Sequence, residues 1–211
     1  LLLSWVEKQS DTLATLKYSR MNKNEWEPAR EIVSDRDLLV NWADFPAIAE
    51  NNGMLLSHFL KRTSTETFSY DIKLNLLNTA DSNWKRNFTL HDDETISEHG
   101  FVSMLPYNEN SFFISWLDGR NTGQSKDGAP HGSMSIRAAE VNANGEISNE
   151  QLLDDKTCDC CQTTAAITEN GPVVIYRDRS DEEVRDLSIV RFVEGNWTKP
   201  SPVFQDDWKI K

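Results

Sequence analysis

The chain is predicted to be an all-β propeller of four-stranded antiparallel blades, and three observations carry that prediction. One pattern recurs along it: a short apolar segment, a polar turn, a β-rich segment and a burst of charge. It appears in Asp44–Arg62, Gly100–Arg120 and Gln162–Arg179, and Leu1–Lys8 opens the chain as a fourth copy without its first half. Aligning Leu3, Leu56, Ile114 and Ile175 separates the copies by 53, 58 and 61 residues, a period suited to propeller blades. No stretch carries a long helical period, and hairpin-type turn residues punctuate the apolar runs.

Each repeat divides into strands a to d, giving blades at about 1–33, 44–90, 100–153 and 163–204. Strand a is expected at Phe45–Ala49, Phe101–Leu105 and Thr164–Thr168, each followed by a turn of Asn/Gly chemistry. Strand b, at Leu1–Val6, Met54–Leu60, Phe112–Leu117 and Val173–Tyr176, is continuously apolar, as a strand covered on both faces should be. Strand c, at Thr12–Ser19, Phe68–Leu77, Ser133–Val141 and Asp186–Val193, tends to alternate polar and apolar residues. The c–d turn ends in Trp26, Trp84 and Trp197, with Ile147 in the remaining copy. These side chains are expected to anchor their turns by packing. Pro28, Pro200 and Pro202 fall on strand d, which suits an outer edge where a missing amide donor does little harm.

The 211 residues (24.1 kDa) are enough to bury a core as one domain. A net charge of −12 excludes a nucleic-acid binder, which needs clustered Lys and Arg. No apolar run is long enough for a membrane span, and Leu1–Leu3 is too short for a signal-peptide core. The chain starts without Met, so an export signal would lie upstream; an extracellular or periplasmic location is the expectation. No cofactor is expected.

The strand pattern, the spacing of Ser19 and Trp26, and the segments EHGFVS, WLDGR, CDCCQT, YRDRS and DDWKI resemble the sialidase-like β-propellers with Asp-box repeats, in a bacterial subgroup. Met21 and Lys23 stand where that box has Asp and Gly, and the family's Arg-Ile-Pro signature is absent. The resemblance implies a six-bladed ring, of which about three and a half blades are present. The chain is therefore expected to be a fragment whose partners include the remaining blades of a parent protein. It further implies binding, and cleavage, of a glycan or other anionic small molecule, the activity being of exo-sialidase type where catalysis occurs.

Ligands are expected on the face formed by the d–a and b–c loops. Arg offers bidentate donors to a carboxylate, and glycoside cleavage needs an acid and a partner carboxylate or other nucleophile. The candidate catalytic residues are Asp44, Asp118 and Asp178, and the candidate ligand-binding residues are His99, Arg120, Arg177 and Arg179. Solvated loop charges, or a salt-bridge ladder between blades through the YRDR run, are the plainer readings of the same residues. His99 is a ligand group or a hydrogen-bonded structural histidine, His58 is expected to be packed, and His131 lies in a Gly-rich loop. Cys158, Cys160 and Cys161, all three cysteines of the chain, fall in one d–a loop. The resemblance implies a disulfide from this cluster to a cysteine of the next blade; a thiolate metal site and free thiols are the alternatives. A non-catalytic scaffold and a metal-binding protein are therefore the rival functions.

Overall fold

A computed structural model describes residues 1–79, 83–122 and 132–205. His131 with most of its Gly-rich loop, part of the turn before Trp84, and the DDWKI segment lie outside the described residues. Among the described residues seventeen strands form four antiparallel sheets, and there is no helix. The first sheet pairs β1 (Leu2–Ser10), β2 (Leu13–Asn22), β3 (Glu25–Trp26) and β4 (Arg30–Asp35). The second is β5 (Ile48–Asn51), β6 (Met54–Arg62), β7 (Tyr70–Asn78) and β8 (Asn83–Thr89). The third is β9 (His99–Tyr107), β10 (Ser111–Asp118), β11 (Ser135–Asn142) and β12 (Ile147–Asp154). The fourth is β13 (Thr164–Thr168), β14 (Gly171–Arg177), β15 (Leu187–Val193), β16 (Asn196–Trp197) and β17 (Ser201–Phe204). Strands a, b and c of each sheet pair in sequence order, and strand d, split into β3/β4 and β16/β17 in the first and fourth sheets, pairs with strand c, which is the up-and-down order of propeller blades. No helix among the described residues is long and apolar enough to cross a membrane.

Period-2 alternation explains why strand b is apolar without interruption. On β6, Leu55 and Phe59 pack with Leu16 and Ile32 of the first sheet, while Leu56 and Leu60 face the third. On β10, Phe112, Ile114 and Trp116 complete that second core, and Phe113 and Leu117 turn towards Val174 and Tyr176 of the fourth sheet. Each core therefore sits between two blades rather than within one.

Strand d shifts register at the same place in every blade. In the first and fourth it is broken near Pro28 and Pro200. In the second and third it runs on through Asn87 and Asn149, which take left-handed φ of 60° and 55° beside the shift. Strand a of the second blade starts three residues later than expected. Pro46 lacks an amide donor, so the ladder begins at Ile48, although Ala47 O still accepts from His58 N at 3.2 Å.

The c–d tryptophans pack on the preceding blade as well as on their own, where Trp197 lies 5.4 Å between centroids from Phe192 of the flanking strand c. Trp84 meets Tyr18 edge-on at 5.9 Å between centroids, Trp197 meets Phe113 at 5.9 Å, and Ile147 joins the core between the second and third sheets. Trp26 departs from the expectation: it is 45% exposed. Trp84→Ala is accordingly expected to cost somewhat less than the about 3–5 kcal/mol of a fully buried aromatic, and Trp26→Ala within about 0.5 kcal/mol of nothing. Paired chemical-denaturation midpoints check this; equal losses would contradict the blade-to-blade packing.

Candidate functional site

A cleft of about 1100 Å³ opens among the d–a connections and b–c loops of the last three blades. Three successive d–a connections supply Trp42, Glu98 and Asp159, and the b–c loops supply Glu66, Phe68 and Arg179. Trp42 is 93% exposed, and Phe68 and Ile96 are also exposed. Uncovered aromatic surface beside converging polar groups is the usual composition of a small-molecule site.

The backbone holds Glu98 at the cleft wall. Residues Tyr70 and Glu98 form an isolated parallel bridge, Tyr70 N donates to Ser97 O at 3.1 Å, and Gly119 N donates to Glu98 O at 2.8 Å. A side chain at Gly119 would bring its Cβ to 2.6 Å from Glu98 O, so that approach requires glycine. The Tyr70 hydroxyl donates to Glu98 Oε1. Burial pushes the Glu98 carboxyl above its ordinary range; the Tyr70 bond opposes this and the nearby Asp159 charge adds to it. Burial, and then the Glu98 bond, likewise push the Tyr70 hydroxyl upward.

Asp44 lies just beneath this wall, 1% exposed. Its Oδ2 accepts from Phe101 N at 2.7 Å, and a Cβ on Gly100 would stand 2.0 Å from the same oxygen. Phe101 takes φ 53°, a left-handed conformation that a bulky side chain rarely adopts, at the bulge opposite Ser115 and Leu117. The bulge turns the Phe101 amide onto the carboxylate. Burial raises the Asp44 pKa to about 6, against the Phe101 bond and with help from Glu98.

The other expected residues fall elsewhere. Asp118 is fully buried, accepts from Trp116 Nε1 at 2.8 Å, and takes both Arg120 Nε (2.7 Å) and Nη2 (2.8 Å). Arg120 continues to Glu150 at 2.9 Å, which also takes Arg137 Nε at 2.7 Å. His99, also fully buried, stacks on His91 with centroids 3.7 Å apart and shares Asp93 Oδ2 with it, at 3.1 and 2.8 Å. Burial works against the charged forms of Asp93 and Asp118, yet both carboxyls end below their ordinary range. The Thr95 bonds and the two histidines lower Asp93; Arg120 and His99 lower Asp118. This network cements the second blade to the third.

Asp178 accepts from Arg179 N and from Ser188 Oγ, at 2.7 and 2.9 Å. Arg179 lines the cleft and is held by Glu183 at 2.9 Å. Arg177 donates to Cys161 Sγ at 3.2 Å. Of the YRDR run, Tyr176 reaches the third blade, donating to Asp154 at 2.5 Å. The structure thus brings Arg179 to the cleft and Asp44 under it, and turns Arg120, Arg177, Asp118 and His99 into packed contacts. Among the described residues, three side-chain groups have donor atoms close enough for a metal: Asp71–His91–His99, Asp93–His99–Asp118, and Cys158–Cys160–Cys161.

His58 is buried without a hydrogen-bond partner on either ring nitrogen, and burial lowers its pKa to about 4. A base depressed in the folded state contributes its stability above the unfolded value near 6.5 and loses it as pH falls towards 4. Asp44, raised to about 6, acts in the opposite direction. The test is therefore a difference: the stability of the parent minus that of His58→Leu should fall by about 3 kcal/mol between pH 7 and pH 4, read from urea midpoints. A constant difference would place the imidazole in contact with water.

No family model matches the sequence, and no curated protein matches it. Solved structures do. The chain superposes on an α-L-arabinanase from Penicillium chrysogenum with a TM-score of 0.57 at 15% identity, covering 95% of this chain and 59% of the arabinanase. A GH43_1 enzyme from Xanthomonas citri gives 0.53 at 10% identity, covering 94% and 69%. The hemagglutinin-neuraminidase of Parainfluenza Virus 5 gives 0.53 at 9%, covering 92% and 55%. At these identities the shared property is the fold, a propeller of which this chain spans little more than half the arabinanase. The similarity extends to propeller glycoside hydrolases of several kinds, not to the sialidase repeat family in particular.

Proposed function

We propose that these four blades carry part of a glycan-binding and glycan-hydrolysing cleft, with Glu98 and Asp159 as its working carboxylates. The observation that carries this reading is the convergence of Glu98, Asp159, Trp42 and Phe68 on one cleft. Glu98, raised in pKa and gripped by Tyr70, suits the proton donor to a leaving glycosidic oxygen. Asp159, exposed across the same cleft, suits the carboxylate that activates water or attacks the sugar. Tyr70 is a positioning residue that orients Glu98, and the nearby Asp159 charge adds to burial in raising the Glu98 pKa. Exposed Trp42 and Phe68 offer flat apolar faces to a sugar ring.

The charge of the cleft favours a neutral glycan over a sialoside. Its charged lining among the described residues is Glu66, Glu98, Asp159 and Arg179, and an Arg already held by Glu183 is poor equipment for a substrate carboxylate. The test is a panel of arabinobiose, xylotriose, β-1,2-mannobiose and an aryl sialoside, followed by calorimetry and product release. The expected result is binding of at least one neutral member with slow release of sugar. Binding of the sialoside alone, or of nothing in the panel, would contradict the proposal.

A further inference from the structure

The structure assigns a second site to the rim of the cleft: Cys158, Cys160 and Cys161 are placed to hold a soft closed-shell cation, Zn²⁺ or Cu(I), through three thiolates. The three Sγ atoms form a nearly equilateral triangle, with separations of 3.7, 3.6 and 3.8 Å. Tetrahedral ligands at the Zn–S distance of about 2.3 Å stand about 3.8 Å apart, so the triangle already has the dimensions of three corners of such a site. A disulfide needs one pair at about 2.05 Å, and no pair here is singled out. Crowding three donors into C-x-C-C, a spacing unusual for metal sites, is accommodated because residues 159 and 160 turn.

The backbone holds this turn on both sides. Thr157 N donates to Met134 O at 2.8 Å and Cys158 N to Arg177 O at 2.9 Å, and residues Thr157 and Asp178 form an antiparallel bridge. Two guanidinium groups surround the sulfurs: Arg177 Nη1 donates to Cys161 Sγ at 3.2 Å, and Arg185 Nη1 to Cys158 Sγ at 3.7 Å. Binding Zn²⁺ releases three thiol protons to solvent and leaves a net charge of −1 on the ion and its three thiolates; Cu(I) leaves −2. In either case the two arginines offset anionic charge, as outer-shell donors to metal thiolates do. Cys160 lines the cleft, so the fourth position of the ion would face the same space as Asp159.

The experiment uses the whole chain, purified with its thiols reduced. In one arm Co²⁺ is titrated as a reporter for Zn²⁺ and then displaced by Zn²⁺; in the other, Cu(I) is titrated anaerobically against a chromophoric chelator. The expected result is one ion per chain in at least one arm, with a thiolate-to-cobalt charge-transfer band if the ion is Zn²⁺-like. Cys160→Ser, at an exposed position, should weaken binding at least about tenfold while the melting temperature of the metal-free chain is unchanged. Failure of the reduced chain to bind either ion stoichiometrically would overturn the assignment, as would equal affinity in Cys160→Ser. Because no sugar is involved, the result is independent of whether the cleft hydrolyses glycans.

Discussion

Arg120→Ala is expected to lose about 3–5 kcal/mol of stability, the cost of breaking a buried ion pair by removing one partner. For a chain of this size that lowers the melting temperature by roughly 6–20 °C. The loss follows from Asp118, which is fully buried and takes two hydrogen bonds from Arg120, leaving its carboxylate uncompensated once the guanidinium is gone. Adding Asp118→Asn to Arg120→Ala should restore a large part of the loss, because the residual charge disappears. Arg137→Ala should cost much less, since Glu150 keeps its bond to Arg120 and is only half-buried. Thermal melts of the parent and the three variants decide it; a loss below about 1 kcal/mol for Arg120→Ala would mean that water reaches Asp118.

Glu98→Gln is expected to reduce glycan hydrolysis about a hundred- to ten-thousand-fold, the usual contribution of a positioned acid, with little change in sugar affinity. The amide keeps the shape of the carboxyl and an acceptor for Tyr70, so folding should survive. Tyr70→Phe should act through Glu98. With the hydroxyl bond that lowers the Glu98 pKa removed, the basic limb of the rate profile should move to higher pH while KM changes little. An unmoved profile would leave Tyr70 with a purely structural role.

The fold was readable because each blade repeats its chemistry. The apolar b strands, the turns before Gly53 and Gly171, and the recurring Trp at the c–d turn each mark a strand boundary that the structure contains. Trp26 was misread because the repeat shows that a Trp recurs but not which blade it packs against. The ligand face was expected at the d–a and b–c loops, and a cleft opens among them. What sequence could not rank was which charges face outward. Arg120 and Asp118 are two residues apart and pair with each other, and His99 meets His91, a residue lying at the end of an expected edge strand. Tyr70 was hidden inside strand c, where only three-dimensional neighbourhood reveals its bond to Glu98. One signal was available: an acidic residue, Asp44, Glu98 or Asp159, stands in each d–a connection before the next strand a.

The claim that the loop-face cleft is where a glycan binds is tested most directly by tryptophan fluorescence. Trp42 is 93% exposed at the cleft and six other tryptophans serve as background. Titrating a neutral oligosaccharide into the parent chain should shift emission to the blue and saturate, and Trp42→Phe should abolish the spectral change while weakening binding. A saturable shift that persists unchanged in Trp42→Phe would place the sugar elsewhere and contradict the account.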